Sequence, residues 1–263
     1  MPEGDTLFRT ARSLRTVLLD KVILRARSSL LHLKARELEG RRVLDVEAYG
    51  KNLFIRLDDE TTLYSHLRMT GSWHIYQPTE PWQKPERYMK VALDVGDFMI
   101  VCFSAPQVEL WRTEALARDP RIAGLGPDIL QDDFDISLVT QEFLRRSEYP
   151  LGEAVMSQRL VSGIGNIYKS ETLFVCGADP FAQVKRFTED EIRTVLKVAR
   201  DLMLSNLVRE RKTTPDLPGM PNFWAYGRRG RPCLECREPI RVRRQGEAAR
   251  TTYYCPTCQP TRG

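Results

Sequence analysis

The sequence has no long hydrophobic run, no internal repeat and no low-complexity tract. Its longest unbroken apolar stretch, residues 98–103, is far shorter than the roughly 20 apolar residues that a membrane-spanning helix needs. No charged stretch followed by an apolar one stands near the N-terminus, so export is not indicated. These absences argue against a membrane protein with spanning helices, and we expect a cytoplasmic protein.

The composition is that of a globular protein with a localised positive charge. Of the 263 residues, 42% are apolar and 29% charged, which predicts two or three domains. The net charge is +5, and residues 226–250 account for all of it with eight arginines and three glutamates. Such a segment is typical of a surface that binds a polyanion, and the alternative is an ordinary solvated loop.

The N-terminal part of the chain changes from a helical pattern to a strand pattern. Apolar residues at positions 7, 11, 14 and 18 predict a helix over residues 5–19, which Asp5 or Thr6 could cap. Residues 42–103 contain short β-branched and aromatic runs separated by turn residues. This pattern predicts an antiparallel β-sandwich or barrel.

The rest of the chain is predicted to be mainly helical before the basic segment. Residues 111–131 are expected to be a connection, and helical patterns return over residues 136–208. A capping box at residues 188–191 marks the start of one of these helices. A proline-rich link, residues 213–221, then leads to the basic segment.

Two cysteine pairs provide the strongest single motif. Two residues separate the cysteines within each pair, eighteen residues separate the pairs, and the cysteines are Cys233, Cys236, Cys255 and Cys258. In a reducing cytosol this pattern favours one structural zinc ion over two disulfides, because each pair brings two thiolates to one tetrahedral ion. Four thiolates leave no position for a catalytic water, so the zinc would hold a β-hairpin and perform no chemistry.

The first five residues, MPEGD, admit two interpretations of Pro2. Proline is common in the first turn of a helix. Initiator methionine is usually removed before a small residue, and Pro2 would then offer a secondary amine that could act as a nucleophile.

Three weaker motifs also have a functional and a structural interpretation. Residues 161–171 place two glycines before a helix, which suits a phosphate-binding turn or a plain turn between helices. Lys51 follows a glycine at the start of a strand, where lysines are usually only solvated. Arg68 and Met69, close to His66, could insert a cation and an apolar wedge where a base leaves the DNA stack, whereas the alternative is a core methionine.

Seven motifs follow one another along the chain: MPEG (1–4), GK (50–51), SHLRMTG (65–71), LGPD (125–128), SGIGNIYKSE (162–171), YGRRGRPC (226–233) and RTTYYCPTCQ (250–259). Together they resemble the formamidopyrimidine-DNA glycosylase and endonuclease VIII family of bifunctional base-excision repair enzymes. The resemblance covers nearly the whole chain.

The resemblance implies an α+β protein of several domains. The family has an N-terminal antiparallel β-sandwich with flanking helices, a central helix–two-turn–helix domain and a C-terminal zinc-finger β-hairpin with four cysteine ligands. On this sequence we expect these parts at residues 1–125, 126–222 and 223–263. In the family, DNA is bound with the damaged nucleotide flipped out.

The resemblance also implies catalytic roles for four residues. Pro2 matches the nucleophile, whose amine attacks C1′ of the damaged nucleotide and forms an imine, and the positive end of the first helix should favour its unprotonated form. Glu3 matches the acid/base residue. Lys51 matches a lysine that contacts phosphate and assists β-elimination, and Arg250 matches an arginine that grips the phosphate at the lesion and helps δ-elimination.

Contacts with DNA and zinc are implied in the same way. Asn166 matches a phosphate-binding asparagine, and Met69, with Arg68, occupies the position of residues that fill the gap left by the flipped base. The four cysteines match the ligands of one structural Zn²⁺ per chain. The expected partner is damaged DNA, and we expect a monomer in the bacterial cytosol, associated with the nucleoid when it acts.

Two stretches bear on the branch of the family. Formamidopyrimidine-type members commonly carry an Arg-Arg-Phe-Gly stretch after the sandwich strands, but residues 104–112 are SAPQVELWR, which is closer to the endonuclease VIII branch. Some endonuclease VIII members have a DNA-contacting arginine just before LGPD. Here Gly124 stands there, and Arg121 is the nearby arginine.

We therefore expect a DNA glycosylase and AP lyase that removes oxidised bases, pyrimidines more than 8-oxoguanine, and cleaves the strand by β,δ-elimination. The alternative is a non-catalytic zinc-ribbon protein that binds damaged or structured DNA, which would have no need to keep Pro2, Glu3 and Lys51 together. A third possibility is an enzyme, such as a tautomerase, that uses an N-terminal proline as a general base. Such enzymes have small compact subunits and no use for a zinc finger.

Overall fold

The computed structural model describes residues 2–208 and 210–262. The chain divides into two compact units, residues 1–124 and residues 125–263. Among the described residues, no helix combines the length and the apolar character that a membrane crossing requires. The expected three-part division, with boundaries at residues 125 and 222, stays a prediction.

The first unit begins with helix α1, Gly4–Leu18, close to the predicted helix. Its buried apolar residues are those whose spacing predicted it: Leu7, Ala11, Leu14 and Leu18. The predicted cap is wrong, because Glu3 is the N-cap residue and no side chain caps the helix. The backbone carbonyl of Glu3 instead accepts hydrogen bonds from the amides of Thr6 (2.9 Å) and Leu7 (3.1 Å).

The strands of the first unit form two four-stranded antiparallel sheets, with the orders β1-β6-β7-β5 and β2-β3-β4-β8. The strands are β1 Arg25–Ser28, β2 Val43–Tyr49, β3 Asn52–Leu57, β4 Thr61–His66, β5 Ser72–Tyr76, β6 Met89–Asp94, β7 Met99–Phe103 and β8 Gln107–Arg112. Strands β1 and β8, both at sheet edges, were not predicted. Strand β1 is short and polar, whereas β8 does alternate, with Val108 and Leu110 each following a polar residue, and this signal was missed.

One hydrophobic core joins the two sheets and α1. It contains Leu53, Ile55 and Leu63 from one sheet, and Val91, Leu93 and Ile100 from the other. The two sheets share no strand, so the structure is a sandwich and not a barrel. The predicted antiparallel sandwich with a flanking helix is thereby confirmed.

The segment that was expected to be a plain connection contains two short helices, α2 Thr113–Arg118 and α3 Pro120–Ala123. The side chain of Asp119 caps α3 by accepting a hydrogen bond from the amide of Arg121. Helices of four to six residues are too short for an apolar period to be recognised in the sequence. Two 3₁₀ turns, Ala35–Leu38 and Glu86–Tyr88, complete the described helical segments of this unit.

The second unit contains the predicted helices and hairpin. The helices are α4 Ile136–Arg145, α5 Leu151–Met156, α6 Asn166–Val175 and α7 Glu189–Ser205, with a 3₁₀ turn at Val184–Arg186. A turn segment, residues 157–165, joins α5 to α6, and the side chain of Gln158 bridges it by donating to the carbonyls of Met156 and Ile164 (2.9 Å each). Strands β9, Arg241–Gln245, and β10, Arg250–Tyr254, form an antiparallel hairpin between the two cysteine pairs.

A buried carboxylate connects α6 to the segment that precedes the cysteines. Glu171 is fully buried and accepts backbone hydrogen bonds from Trp224 (2.7 Å), Ala225 (2.9 Å) and Tyr226 (2.7 Å). The hydroxyl of Thr213 donates to the same carboxylate. Burial raises the pKa of this carboxyl, and the hydrogen bonds oppose the rise because they favour the charged form.

The contribution of the α7 capping box to the free energy of unfolding can be tested by mutation. Thr188 accepts from the amide of Glu191, and the Glu191 carboxylate accepts from the amide of Thr188. We expect Thr188→Ala to lower the free energy of unfolding by about 1 kcal/mol in urea titrations, because an orphan amide loses its partner. Thr194→Ala, the same substitution within the helix, is the control and should change it by less than about 0.5 kcal/mol. Equal losses would contradict the capping role.

Candidate functional site

Pro2 and Glu3 stand immediately before α1. Pro2 is partly buried, and Glu3 is 1% exposed. The amino end of a helix carries a partial positive charge, which disfavours protonation of a neighbouring amine and stabilises a nearby carboxylate. Asp5, also buried, lies 4.0 Å from the guanidinium of Arg9. The start of α1 thus combines a helix terminus, two buried carboxyl groups and the proline.

Lys51 lies in a two-residue turn between β2 and β3. Gly50 takes the first turn position with a φ of +59°, a conformation that glycine adopts without a steric penalty. Asn52 is buried just after the turn, where its side-chain amide donates to the carbonyl of Tyr49 (3.1 Å) and accepts from the hydroxyl of Tyr64 (2.9 Å). These bonds brace the hairpin that presents Lys51.

Lys51 and Arg68 both act on the imidazole of His66. The pKa of His66 falls from 6.5 to about 4, first because of burial and then because of the positive charges of Arg68 and Lys51. Its Nδ1 accepts a hydrogen bond from the amide of Arg68 (3.2 Å), so the neutral ring carries its proton on Nε2. The structure therefore brings two predicted cations together around a neutral donor, an arrangement suited to an anion.

The loop between β4 and β5 exposes the predicted wedge. Met69 is 67% exposed, so the alternative of a core methionine is wrong. The loop turns tightly, with the amide of Gly71 bonded to the carbonyl of Leu67 at 2.9 Å. A Cβ at position 71 would lie 2.7 Å from that carbonyl oxygen and 2.9 Å from Cα of Ala105, so only glycine fits.

Arg121, the arginine near Gly124, is engaged by acidic side chains. Its guanidinium donates two hydrogen bonds to Glu109 (3.0 and 2.9 Å) and two to Asp119 (2.9 and 3.0 Å). These bonds, with Glu109 first, raise the pKa of Arg121 above its ordinary value. Its charge is compensated within the first unit. The stretch 104–112 contributes strand β8 and no void-filling arginine pair.

In the second unit, Asn166 is the first residue of α6 and is 7% exposed. Its Oδ1 and the nearby Ser162 Oγ are buried and have no hydrogen-bond partner within the described ranges, 2–208 and 210–262. Between them Gly163 has a φ of +103°, which explains the first glycine of the motif. Unsatisfied buried polar atoms are costly, so this turn is suited to receive a polar ligand.

Arg250 is exposed and opens β10, directly across the ladder from Gln245 at the end of β9. Residues 246–249 form the bend between the two strands, with Gly246 at a φ of +68°. The arginine is therefore presented beside the bend of the hairpin.

The four cysteines of the two pairs converge, with all four sulfur atoms within 4.8 Å of one another. The sulfur atoms of Cys233 and Cys258 are 3.8 Å apart, and those of Cys236 and Cys255 are 3.4 Å apart. A tetrahedron with Zn–S bonds of about 2.3 Å has an edge of about 3.8 Å, so this cluster has the size of a four-thiolate metal site. Cys233 and Cys255 are buried against Phe174, Ala225 and Ile240.

The predicted residues fall in both units. Pro2, Glu3, Lys51, Arg68 and Met69 belong to the first unit, whereas Asn166, Arg250 and the cysteines belong to the second. The roles predicted for them stay predictions.

Sequence reasoning missed the residues that brace these groups. Asn52 and Tyr64 support the Lys51 turn, and Glu171 and Lys169 are buried supports on α6. The one available signal was a lysine and a glutamate inside the motif that follows the glycine turn, in NIYKSE.

Two family models match the chain. One, the formamidopyrimidine-DNA glycosylase N-terminal domain, covers residues 1–108, and the other, the formamidopyrimidine-DNA glycosylase H2TH domain, covers residues 125–216. The chain belongs to the formamidopyrimidine-DNA glycosylase and endonuclease VIII family. The family resemblance seen in the motifs is confirmed.

Relatives from bacteria match over almost their whole length. A "Probable endonuclease 8 2" of Streptomyces coelicolor is 38% identical over 98% of this chain and 94% of its own. The "DNA-(apurinic or apyrimidinic site) lyase Nei2" of Mycolicibacterium smegmatis is 35% identical over 98% of this chain and 99% of its own. The structure of Lactococcus lactis Fpg (MutM) with N7-benzyl-Fapy-dG DNA has a TM-score of 0.83 at 21% identity, covering 99% of this chain and 100% of that one; this likeness shows the fold.

The environment of His66 predicts a specific pH dependence. With a pKa of about 4 when folded and about 6.5 when unfolded, the unfolded chain binds the proton first as the pH falls. His66 should therefore reduce stability progressively below about pH 6.5, and His66→Gln should remove that part of the loss. Urea unfolding at pH 7 and pH 5 measures it. An imidazole that titrates near 6.5 in ¹⁵N NMR spectra would contradict the assigned environment.

Proposed function

We propose that this protein is a bifunctional DNA glycosylase and AP lyase of base-excision repair. The observation that carries the proposal is the Pro2-Glu3 pair at the positive end of α1, in a chain whose family membership is shown. The relatives' printed names, an endonuclease 8 and an apurinic or apyrimidinic site lyase, support the same activity.

In the proposed reaction the nitrogen of Pro2 attacks C1′ of the damaged nucleotide. The bond from C1′ to the base breaks, and the base leaves with the bonding electrons and takes a proton, while the attacking nitrogen loses its own. The C1′–O4′ bond of the sugar ring then breaks, O4′ takes a proton, and an iminium ion joins Pro2 to the opened sugar. Removal of a C2′ proton then expels the 3′ phosphate (β-elimination), and a second elimination expels the 5′ phosphate (δ-elimination). The amine must be unprotonated to attack. Met1 must also have been removed, because the nitrogen of Pro2 is part of an amide bond while Met1 is attached and becomes a nucleophilic amine only at the N-terminus.

Glu3 is the group we assign to proton transfer at the sugar. It is 1% exposed and follows Pro2 directly in the sequence, which supports this assignment. General acid–base catalysis by such a group contributes a factor of about 10²–10⁴ in rate.

Contacts with the DNA backbone are assigned to Lys51, Asn166 and Arg250. Lys51 is presented by a braced turn beside neutral His66, and Asn166 has a buried acceptor without a described partner. The exposed Arg250 offers a planar fork that can hold two phosphate oxygens. Met69, with Arg68, is assigned to the gap left by the flipped base, which its exposure on a tight loop supports.

The metal we assign to the cysteine cluster is Zn²⁺. The donor set, four thiolates at tetrahedral spacing, is the one that structural zinc prefers. Bound there, zinc would supply cross-linking and no reaction chemistry. Cys233, Cys236, Cys255 and Cys258 would hold both ends of the β9–β10 hairpin, and so the position of Arg250.

For the substrate we propose damaged DNA with a preference for oxidised pyrimidines over 8-oxoguanine. The absence of an Arg-Arg-Phe-Gly stretch at residues 104–112 supports this preference, as does the endonuclease 8 relative. We also propose that the protein acts as a monomer at the nucleoid in the bacterial cytosol; the bacterial origin of the relatives supports the bacterial location.

Borohydride trapping tests the proposed nucleophile. Borohydride reduces an imine to a stable amine, so the wild type should become covalently joined to oligonucleotides with thymine glycol, dihydrouracil or an abasic site, and less to one with 8-oxoguanine. Pro2→Gly should be trapped at least about tenfold less, since its primary amine loses the ring that fixes the nucleophile and keeps the iminium ion charged.

Ser13→Ala, on the exposed face of α1, is the control and should be trapped like the wild type. If the wild type binds these oligonucleotides without being trapped, the protein is a non-catalytic binder. Equal trapping of Pro2→Gly would show that another amine is the nucleophile.

Cysteine substitutions test the metal assignment. Cys233→Ser should lose the bound zinc and weaken DNA binding, because the hairpin loses one of its covalent anchors. Cys176→Ser, the same change outside the cluster, should keep one zinc per chain. Metal content by mass spectrometry and binding to abasic-site DNA are the measurements, and a Cys233→Ser protein that retains both would refute the assignment.

A further inference from the structure

One lysine of the second unit is fully buried, whereas lysines normally lie at the protein surface. Lys169, on α6, is 1% exposed, and its Nζ donates a hydrogen bond to Oγ1 of Thr252 on β10 at 2.7 Å. Fully buried lysines are rare, because removing an ammonium group from water is costly. The proposed reaction and DNA contacts make no use of this residue.

The hydrogen bonds that follow from Lys169 have a single possible direction. Lysine can only donate, so the hydroxyl proton of Thr252 is turned to Oε1 of Gln245 (3.0 Å). Because Oε1 of Gln245 accepts this proton, Nε2 of the same amide donates to the carbonyl of Pro180 (2.7 Å). A chain of three bonds therefore ties α6 to both strands of the hairpin and then to the loop at Pro180.

This chain of hydrogen bonds lies next to Arg250. Gln245 is the cross-strand partner of Arg250, and Thr252 is two residues further along the same strand. Because residues two apart in a strand share a face, the three side chains lie on one face of the hairpin. Lys169, Gln245 and Arg250 also line one cavity of about 180 Å³.

The packing around this chain leaves little room for adjustment. A Cβ at Gly152 of α5 would lie 2.6 Å from Oε1 of Gln245 and 3.0 Å from the carbonyl oxygen of Pro180. One at Gly246 would lie 3.1 Å from the carboxylate of Glu153. The bend of the hairpin therefore packs closely against α5, and the surrounding atoms leave the Gln245 side-chain amide a single position.

We propose that Lys169 is a positioning residue for Arg250. It fixes the orientation of Thr252 and Gln245, and these hold the face of the hairpin from which Arg250 reaches the phosphate. Lys169 itself is too deeply buried to contact DNA. The inference rests on the proposed role of Arg250 in phosphate binding and δ-elimination.

The test compares Lys169→Met and Thr252→Val with Arg250→Ala, in the full-length zinc-loaded protein. Methionine and valine keep the approximate shape of the side chains they replace and remove the charge or the hydroxyl. The measurements are the ratio of δ- to β-elimination products from abasic-site DNA and the salt dependence of binding. Borohydride trapping and thermal unfolding are recorded alongside.

All three variants should lower the δ-to-β ratio, Lys169→Met and Thr252→Val by about tenfold, the change expected for losing one hydrogen bond from a charged donor. Each should also flatten the slope of log K against log salt by about 0.9, the loss of one phosphate contact. Thr252→Ser, which keeps the hydroxyl, should restore both values. Lys169→Met combined with Arg250→Ala should be no worse than Arg250→Ala alone.

The outcomes separate this inference from the proposed function. A wild type that is not trapped refutes the proposed function. If the wild type is trapped and Arg250→Ala changes the product ratio, but Lys169→Met and Thr252→Val do not, only the positioning role is overturned. A lower melting temperature with unchanged ratio and salt slope would likewise assign Lys169 to stability alone.

Discussion

The second unit depends on the buried carboxylate of Glu171. It accepts three successive backbone amides, from Trp224 to Tyr226, and thereby anchors to α6 the chain that enters the cysteine cluster. Removing that acceptor would leave three amides without a partner in the interior, and each such loss costs about 1–3 kcal/mol. Two residues earlier on the same helix, Lys169 secures the hairpin. One short helix therefore sets where the basic segment lies.

In the first unit the important interaction is between charged side chains and His66 at one end of a sheet. The Lys51 turn and the Arg68 loop leave one sheet at the same end, because Asn52 and His66 are paired in the β3–β4 ladder. Burial first, and then the positive charges of two cations at that edge, lower the pKa of His66, which keeps the imidazole neutral and able to donate. Arg121, by contrast, is neutralised by two carboxylates. The positive charges of Lys51 and Arg68 therefore lie at the sheet end where we propose that a phosphate binds. The charge of Arg121 is neutralised by its ion pairs.

Much of the architecture could be predicted from local patterns. The α1 helix, the central strands, the α7 capping box and the hairpin between cysteine pairs each have a short-range signal that tertiary packing reinforces. Edge strand β1 and the short helices α2 and α3 could not be predicted, because their form is decided by neighbours that are distant in sequence, whereas the alternation of β8 was present and was missed. The predicted cap of α1 was wrong because Asp5 and Thr6 lie within the helix, where Asp5 is buried.

The sequence by itself determined the chemistry available: a proline and a glutamate before a helix, four cysteines in two pairs, a glycine turn and an arginine-rich segment. Motif order along the chain was enough to indicate the family. Only the tertiary structure decided that Met69 is exposed, that Arg121 is compensated, that His66 is neutral and that Lys169 is buried against Thr252. The physical reason is that burial and charge are properties of the surroundings, which residues far apart in the sequence create.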